Sequence, residues 1–404
     1  MRRHFPRLLA ALALPVLAAA AGPLTRAPWG EPLWRGGAAD LGRGGAGLAL
    51  LDSTRLGGDN PATFHLGRLT RFQMDFSGVR SRAGDGARQE TFSSGQFDGW
   101  ALGFPLLWKE IHAGLRMSSL SHMDYLLARG GADSLGRADI TSLKGSGGLS
   151  RAGLVLARAQ GRLRVGVELG LSFGSVLEEW KHFYPQSAPP YDSWVERRRS
   201  LTGFQGRLGL QWQARPELAL ALAWTPPARA ELTVDLENRA NGVDAEILTR
   251  RVDLPGELAL GAAWRRGPWT WLLDLRQQDW SGTPLLDDSL DAEARLDRPL
   301  GVALGLELPA SEDFAAPWFR RAAWRAGLRH EEWYARRQDA GGAWRDLRTL
   351  SASLGAGIPL KAYGSWLDLT VEAGRAGDAE LKDDFVRLRL GLGARDLWFV
   401  RPRY

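Results

Sequence analysis

Two short stretches of this sequence match motifs that carry chemistry in other proteins. The run "GRGGAG" at 42–47 fits the G-x-G-x-x-G pattern of a dinucleotide-binding turn. The run "GLSFG" at 170–174 fits the nucleophile elbow G-x-S-x-G, with Ser172 as the nucleophile. The first motif needs a preceding strand and a following helix, and the second needs an acidic residue and a histidine on later βα units. The sequence offers neither context, so we expect no cofactor and no catalytic residue, and a hydrolase that uses Ser172 is a distant third hypothesis.

The remaining polar residues do not form a metal-ligand or nucleic-acid pattern. The six histidines show no spacing such as H-E-x-x-H, and the chain has no cysteine. The formal net charge is +6, but residues of both signs alternate along the chain and no basic block stands alone. We therefore expect no metal site, no disulfide and no nucleic-acid partner.

The N-terminus has the three parts of a secretory signal peptide. Arg2, Arg3 and Arg7 precede the apolar run 8–17, and the small residues at 18–21 suit a cleavage site. The apolar run is shorter than the ~20 residues that a spanning helix needs, although a short anchoring helix is the alternative. We expect residues 1–21 to be a signal peptide and the mature chain to be exported.

From about residue 70 onward the dominant pattern is alternation with a period of two. In "LGVALGLEL" at 300–308, Leu and Val alternate with Gly, Ala and Glu, and "GRLRVGVELGLSF" at 161–173 follows the same rule. These runs are about twice the length of an ordinary sandwich strand. One face is apolar, and the other carries Gly, Ala, Ser and charges of both signs. Long strands that are apolar outward and polar inward are typical of a closed barrel in lipid.

We therefore predict an all-β fold, a transmembrane antiparallel β-barrel of about 14 strands. Many of the 18 tryptophans fall near the ends of these strands, as in the aromatic belts of membrane barrels. The predicted strands are 70–82, 89–105, 109–128, 138–159, 162–180, 194–214, 217–239, 243–265, 268–281, 295–309, 320–336, 343–360, 364–376 and 384–400.

Charged residues of both signs take the inward phase of this alternation. A pore selective for one ion sign would show a bias toward that sign, whereas a mixture suits internal ion pairs that hold a plug. A solvated wall is the alternative explanation. The residues that we expect to face the lumen are Arg162, Arg164, Glu168, Asp274, Arg276, Glu307, Arg387 and Arg389.

The segment before the first strand resembles the N-terminal region of the FadL-like outer-membrane superfamily. That family has a glycine-rich run, an A-x-x-D segment and an N-P-A element ahead of its first strand. The end of the chain, "DLWFVRPRY", is similar to a closing barrel strand, with Trp398, Phe399 and Tyr404 as its signal. The matching residues of the N-terminal motif are Gly42, Gly44, Gly45, Asp52, Asn60, Pro61 and Ala62.

The resemblance implies that residues 22–68 form a hatch inside a barrel built from residues 69–404, in the cell outer membrane of a Gram-negative-type bacterium. It implies passive uptake of hydrophobic small molecules such as fatty acids or hydrocarbons, which leave sideways through a gap at a kinked strand. Outer-membrane lipid and the barrel-assembly machinery are the implied partners. A PorV-like barrel that binds exported proteins is the alternative function. We expect Asn60 to bridge the hatch backbone to the wall, and an ordinary turn before the first strand is the alternative there.

Overall fold

A computed structural model of the chain shows a barrel with an N-terminal segment packed against its inner face. Among the described residues, no helix has the length and hydropathy to cross a membrane. The structure describes residues 24, 27–34, 36–52, 55–56, 59–64, 69–84, 89–106, 110–132, 138–184, 191–238, 244–283, 296, 298–311, 313, 315–339, 341–360 and 364–396. The proposed signal peptide and the C-terminal residues Trp398, Phe399 and Tyr404 lie outside these ranges.

Three short elements of the N-terminal segment lie entirely within the described residues. These are strand β1 (Glu31–Pro32), helix α1 (Ala38–Gly42) and a 3-10 turn (Pro61–Thr63). A second short helix, α2 (Trp318–Arg321), lies between two strands of the wall.

The wall consists of long antiparallel strands. In chain order they are β2 (Thr70–Gly84), β3 (Gln89–Pro105), β4 (Ile111–Ser119), β5 (Ser121–Ala132), β6 (Ala138–Gln160), β7 (Leu163–Tyr184), β8 (Tyr191–Arg215), β9 (Leu218–Thr225), β10 (Ala228–Asn238), β11 (Asp244–Leu254), β12 (Gly256–Arg266), β13 (Trp269–Asp279), β14 (Leu300–Leu308), β15 (Ala323–Gln338), β16 (Trp344–Pro359), β17 (Trp366–Gly377) and β18 (Lys382–Asp396).

The sheet closes because β18 pairs with β2 from Lys382 opposite Gly84 to Asp396 opposite Thr70. Three pairs of strands continue one another across a short break, namely β4 with β5, β9 with β10, and β11 with β12. The wall therefore has fourteen crossings, which confirms the predicted antiparallel barrel. We call the end that holds Thr70 and Asp396 the terminal rim, and the opposite end the far rim.

Alternation determines which side chains face outward. Along β7, Val167 and Leu169 are exposed whereas Glu168 is fully buried, and along β18 Leu388 is exposed whereas Arg387 is buried. Large apolar side chains on the outside of a barrel match a hydrocarbon surround. The extended conformation of residues 170–174 within β7 excludes the nucleophile elbow at Ser172, because that motif requires a strand-to-helix turn.

Prolines interrupt two neighbouring wall strands at the same height. Pro226 and Pro227 separate β9 from β10, and Pro255 separates β11 from β12. Proline has no N–H to donate, so the hydrogen-bond ladder stops at these positions. The inward side chain of Gln205 on β8 donates from Nε2 to the carbonyl oxygens of Pro226 (2.9 Å) and Pro255 (3.0 Å). One buried amide therefore gives a hydrogen bond to a carbonyl oxygen at each of the two interruptions.

A third break opens the wall between β3 and β5. β3 pairs with β4 from Pro105 to Gly99, and no ladder pairing joins the described residues of β3 to β5 beyond that point. β5 instead pairs with β1, with Glu31 opposite His122 and Pro32 opposite Ser121. We call this opening the β3–β5 gap. Its free edge on β5 is partly covered by the N-terminal segment.

Candidate functional site

The N-terminal segment is attached to wall strands on several sides of the lumen. At its helix α1, Ala38 N–H donates to Asp75 of β2 (2.7 Å), and Thr370 of β17 donates to the Ala38 carbonyl (2.6 Å). Further along the segment, the N–H groups of Gly47 and Leu48 donate to one carboxylate oxygen of Asp274 on β13 (2.8 and 2.9 Å). Because these strands lie around the barrel, the segment spans its interior.

The glycine-rich run forms the tight turn that follows α1. Gly44 and Gly45 have φ values of +70° and +91°, a left-handed conformation that glycine adopts without strain. The turn is held by Trp34, whose indole N–H donates to the Gly45 carbonyl (2.9 Å). The turn follows a helix rather than a strand, so it lacks the setting of a dinucleotide-binding loop.

Asn60 connects the segment to itself and to the wall. Its Oδ1 accepts from Ala62 N–H (3.0 Å), which caps the 3-10 turn. Its Nδ2 donates to the carbonyls of Leu48 and of Leu210 on β8, both at 3.1 Å. The side chain is fully buried. Asn60 therefore links the N-terminal segment to the wall, and the residues around it do more than form a turn before the first strand.

Replacing Asn60 by Ala should lower the free energy of unfolding by about 2–3 kcal/mol. The substitution removes three hydrogen bonds, each of which contributes about 0.5–1.5 kcal/mol. Denaturant unfolding of the purified barrel in detergent measures the change. Gln338→Ala is the matched control, because that exposed amide also donates to a carbonyl, Gly342 O. The control should change stability by less than about 0.5 kcal/mol, and an equal loss in both variants would contradict a specific role for Asn60.

One ionic cluster ties α1 and the following residues to β14, β15 and β17. Arg43 contacts both Asp40 and Glu307, and Arg325 donates to Asp368 (2.7 Å). Arg55 donates to the two carboxylate oxygens of Asp368 at 2.6 and 2.7 Å. Bidentate guanidinium–carboxylate pairs are the stronger kind of charge-assisted hydrogen bond.

Burial alters the charge balance within the segment. It raises the pKa of Asp40, and the neighbouring Arg43 acts in the opposite direction. Burial would lower the pKa of Arg43, but the carboxylates of Glu307 and Asp40 raise it above its ordinary value. Arg43 is therefore a permanent cation whose charge is neutralised by one carboxylate of the segment and one of the wall.

A second ionic cluster lies on the other side of the lumen. Arg207 of β8 donates to Asp59 of the segment (2.9 Å) and to Glu257 of β12 (2.8 Å). Arg276 of β13 contacts the same Asp59 carboxylate and lies 3.9 Å from Glu257. All four side chains are buried. Asp59 is thus the segment's anionic contact with two wall arginines.

Eight charged residues were predicted to face the lumen. Seven of the eight point into the barrel. Most of these seven form ion pairs or contact the N-terminal segment. For example, Glu168 pairs with Arg116 and Arg151, and Arg387 pairs with Glu372 and Glu31. Arg164 is half-buried on the inward phase of β7. Arg162 corrects the prediction: it is exposed in the turn between β6 and β7, because the ladder ends at Gln160 opposite Leu163.

Glycines of the wall provide the surface on which the segment docks. A Cβ atom built on Gly327 of β15 would overlap the backbone of Arg43 and Gly44. Cβ atoms on Gly166 and Gly209 would overlap Pro61 and Asn60. Backbone-to-backbone approach of this kind requires glycine. The glycine motif of the segment and the glycines of the wall are therefore complementary parts of one contact.

The half of the lumen nearer the far rim contains a large apolar cluster beside buried charged residues such as Glu178 and Asp383, and the alternation pattern did not predict this cluster. Its members are aliphatic and aromatic side chains, and Leu24, Ala27 and Trp29 of the segment are buried among them. Trp29 is held by Tyr334, which accepts from Trp29 N–H and donates to the Gly30 carbonyl, both at 3.0 Å. We call this the far-rim cluster; its wall members include Met123, Tyr125, Leu143, Val176, Leu201, Leu232, Val252, Leu254, Trp280, Trp333, Tyr334, Leu347 and Phe385.

Arg199 is a buried cation that borders the far-rim cluster. Arg199 of β8 donates to Glu178 (2.7 Å) and stacks over Trp29, with 5.7 Å between its guanidinium carbon and the ring centroid. The side chain is 1% exposed, and neither Nε nor Nη1 has a hydrogen-bond partner among the described residues. Glu178 also accepts from Arg197 (2.8 Å) and Tyr125 (2.9 Å), so its charge is balanced without Arg199. The two free N–H groups can bind an acceptor that enters the cluster.

Comparisons with solved structures give barrels of the same architecture. The chain is similar to a Pseudomonas aeruginosa FadL homologue, with 11% identity, a TM-score of 0.62 and 91% and 99% of the two chains covered. It is similar to the toluene transporter TbuX of Ralstonia pickettii, with 14% identity, a TM-score of 0.57 and 90% and 99% covered. The CymD monoaromatic hydrocarbon channel gives 14% identity, a TM-score of 0.57 and 93% and 98% covered. No curated protein matches the chain.

The chain therefore shares the fold of these FadL-type channels, a closed barrel of fourteen antiparallel strands. The model of the BamG family matches residues 40–404. The chain therefore belongs to the BamG family.

Proposed function

We propose that this chain is an outer-membrane barrel through which small hydrophobic molecules cross passively. The observation that supports the proposal is the far-rim cluster, because a water-filled pore would have a polar interior. In this proposal the terminal rim faces the periplasm, residues 1–21 are removed, and residues 22–68 act as the hatch. The neighbours include proteins described as a toluene transporter and a monoaromatic hydrocarbon channel, which is consistent with an apolar cargo.

The route runs from the far-rim cluster to the β3–β5 gap. A ligand enters the cluster by displacing Leu24 and Trp29, which occupy it in this structure. It then moves toward β5, whose inward residues Met123 and Tyr125 belong both to the cluster and to the strand that borders the gap. Glu31 and Pro32 cover that edge through two ladder positions, and Leu33 N–H also donates to the Leu120 carbonyl (2.9 Å), so the edge is uncovered when the segment releases these contacts.

Arg199 favours an acidic amphiphile over a plain hydrocarbon as the ligand. A carboxylate in the far-rim cluster would accept from Nε or from Nη1 of Arg199, while its chain contacts Trp29 and the apolar wall. Hydrogen bonds to a charged group contribute about 1.5–3 kcal/mol. The favoured ligand class is therefore a fatty acid.

Binding and uptake of decanoate test this proposal. In detergent, Arg199→Leu should weaken decanoate binding by at least about tenfold, the equivalent of 1.4 kcal/mol, and should leave decanol binding unchanged. In cells of a Gram-negative host that lacks its own hydrophobic-compound channel, the wild-type chain should raise decanoate uptake above the empty vector. Arg345→Leu, at an exposed ion pair with Asp339, is the control variant. Absence of both binding and uptake would overturn the transport proposal, and equal binding of decanoate and decanol would overturn the role of Arg199.

We also propose a partner for the barrel and an alternative function. The name BamG suggests a connection with barrel assembly, and we propose the assembly machinery as the partner that inserts this barrel. A PorV-like role in binding exported proteins is the alternative function, and no contact among the described residues favours it.

A further inference from the structure

The outer surface of the barrel carries a recess near the far rim where β2, β18 and β17 run side by side. The recess has a volume of about 410 Å³. The small side chains of Ala373 and Thr91 contribute to its floor, and Arg80, Arg82 and Val386 border it. Ladder positions fix this grouping, because Arg80 lies opposite Val386 on β18 and Val386 lies opposite Ala373 on β17. We call it the β2–β18 groove.

The groove has more positive than negative side chains, and part of its positive charge is not neutralised by a close ion pair. Arg80 and Arg82 are exposed on the outward phase of β2, and within the described part of the chain neither guanidinium forms a hydrogen bond or a close ion pair, although Arg82 lies opposite Asp384 in the ladder. The acidic residue of the groove, Asp384, already pairs with Arg375 at 3.0 Å. Two arginines are therefore available to an anion at this level of the wall.

The apolar band of the barrel begins directly below these arginines. Two ladder positions toward the terminal rim, the outward residues are Gly78, Leu388 and Val371. Leu388 and Val371 are 60% and 48% exposed. Apolar residues that face outward at these positions match acyl chains. The arginines lie closer to the far rim, at the level of the lipid headgroups.

We infer that the β2–β18 groove binds the phosphorylated headgroup of an outer-leaflet lipid, with the acyl chains of that lipid lying on Leu388 and Val371. A phosphate offers acceptors that match the guanidinium fork of Arg80 or Arg82, and the interaction is charge-assisted. Basic residues at a membrane surface attract anionic lipid headgroups in proportion to their number. The groove is on the outside of the wall, so this site is separate from the lumen and independent of any transported molecule.

Native mass spectrometry of the full-length barrel in detergent tests the site with lipid A as the probe. Bisphosphorylated lipid A should bind the wild-type barrel more tightly than dephosphorylated lipid A. The double variant Arg80→Ser/Arg82→Ser should bind it roughly 30-fold more weakly, from about a fivefold loss for each arginine. The matched control is Arg229→Ser/Arg251→Ser, which removes two exposed outward arginines of β10 and β11 outside the groove.

The outcomes separate the site from general charge attraction. Weakening in the Arg80/Arg82 variant with less than twofold change in the control supports the site. Equal weakening in both variants, or equal binding of phosphorylated and dephosphorylated lipid A, overturns it. Competition by millimolar inorganic phosphate alone, with no dependence on the acyl chains, would also overturn it, because the groove would then bind a free anion.

Discussion

Substitution of Arg207 by Met is expected to lower the free energy of unfolding by about 3–5 kcal/mol. Removing one partner of a buried ion pair leaves the other charge without compensation in a region of low dielectric constant. Here the variant removes one of the two arginines, Arg207 and Arg276, that Asp59 and Glu257 share. Because Asp59 belongs to the N-terminal segment, part of the loss appears as weaker attachment of that segment.

Two measurements check the Arg207 prediction. Guanidinium unfolding of the detergent-solubilised barrel gives the change in stability, and single-channel recording in planar bilayers reports whether the segment leaves the lumen. Arg345→Met is the control, because its ion pair with Asp339 at 2.9 Å is at the surface, where such pairs contribute about 0–1 kcal/mol. A loss of less than about 1 kcal/mol for Arg207→Met would show that the cluster is not what fixes Asp59 to the wall.

Substitution of Gly327 by Val is expected to displace the N-terminal segment while the wall stays closed. The added Cβ would overlap the backbone atoms of Arg43 and Gly44, which cannot rotate away as a side chain can. Overpacking of this kind costs about 1–3 kcal/mol or more, and here it falls on a contact that can separate. Moving the segment relieves the overlap at a lower cost in free energy than distorting fourteen paired strands.

Limited trypsin digestion measures the displacement of the segment. In the variant, cleavage after Arg43 and Arg55 should be at least about tenfold faster than in the wild type, because the rate follows the population of the opened state. Gly131→Val is the matched control, since a Cβ at that position of β5 meets no atom within 4 Å. Loss of the heat-resistant compact band on a gel would contradict the prediction, because the wall itself would then have failed to form.

Much of the wall could be predicted from period-two alternation. The pattern determines which residues share a face, so Glu168, Arg387 and Arg389 were assigned correctly to the inside. It could not assign Arg162, because one residue decides whether a strand has begun or a turn continues. It also could not pair Arg207 with Asp59 or Arg55 with Asp368, because those contacts depend on strand register and on the path of a segment without period.

The far-rim cluster was missed for a related reason. Alternation identifies two faces of a strand but does not say which face is turned toward lipid. At a break in a strand, the residues that face inward change from even to odd numbers or the reverse. Val252 and Leu254 are buried before Pro255, whereas Leu258 and Leu260 are exposed after it, although all four have even numbers. Prolines in the middle of a predicted strand were the signal that could have revealed the reversal.

The position of the N-terminal segment has a consequence for the order of assembly. Its contacts join residues that are far apart in the chain, such as Ala38 with Thr370 and Asn60 with Leu210. Contacts of long sequence separation form late and make folding slow. Because the segment touches strands on several sides of the barrel, its contacts are complete only when β18 meets β2. We expect that removing the segment slows closure of this seam more than it weakens the finished barrel.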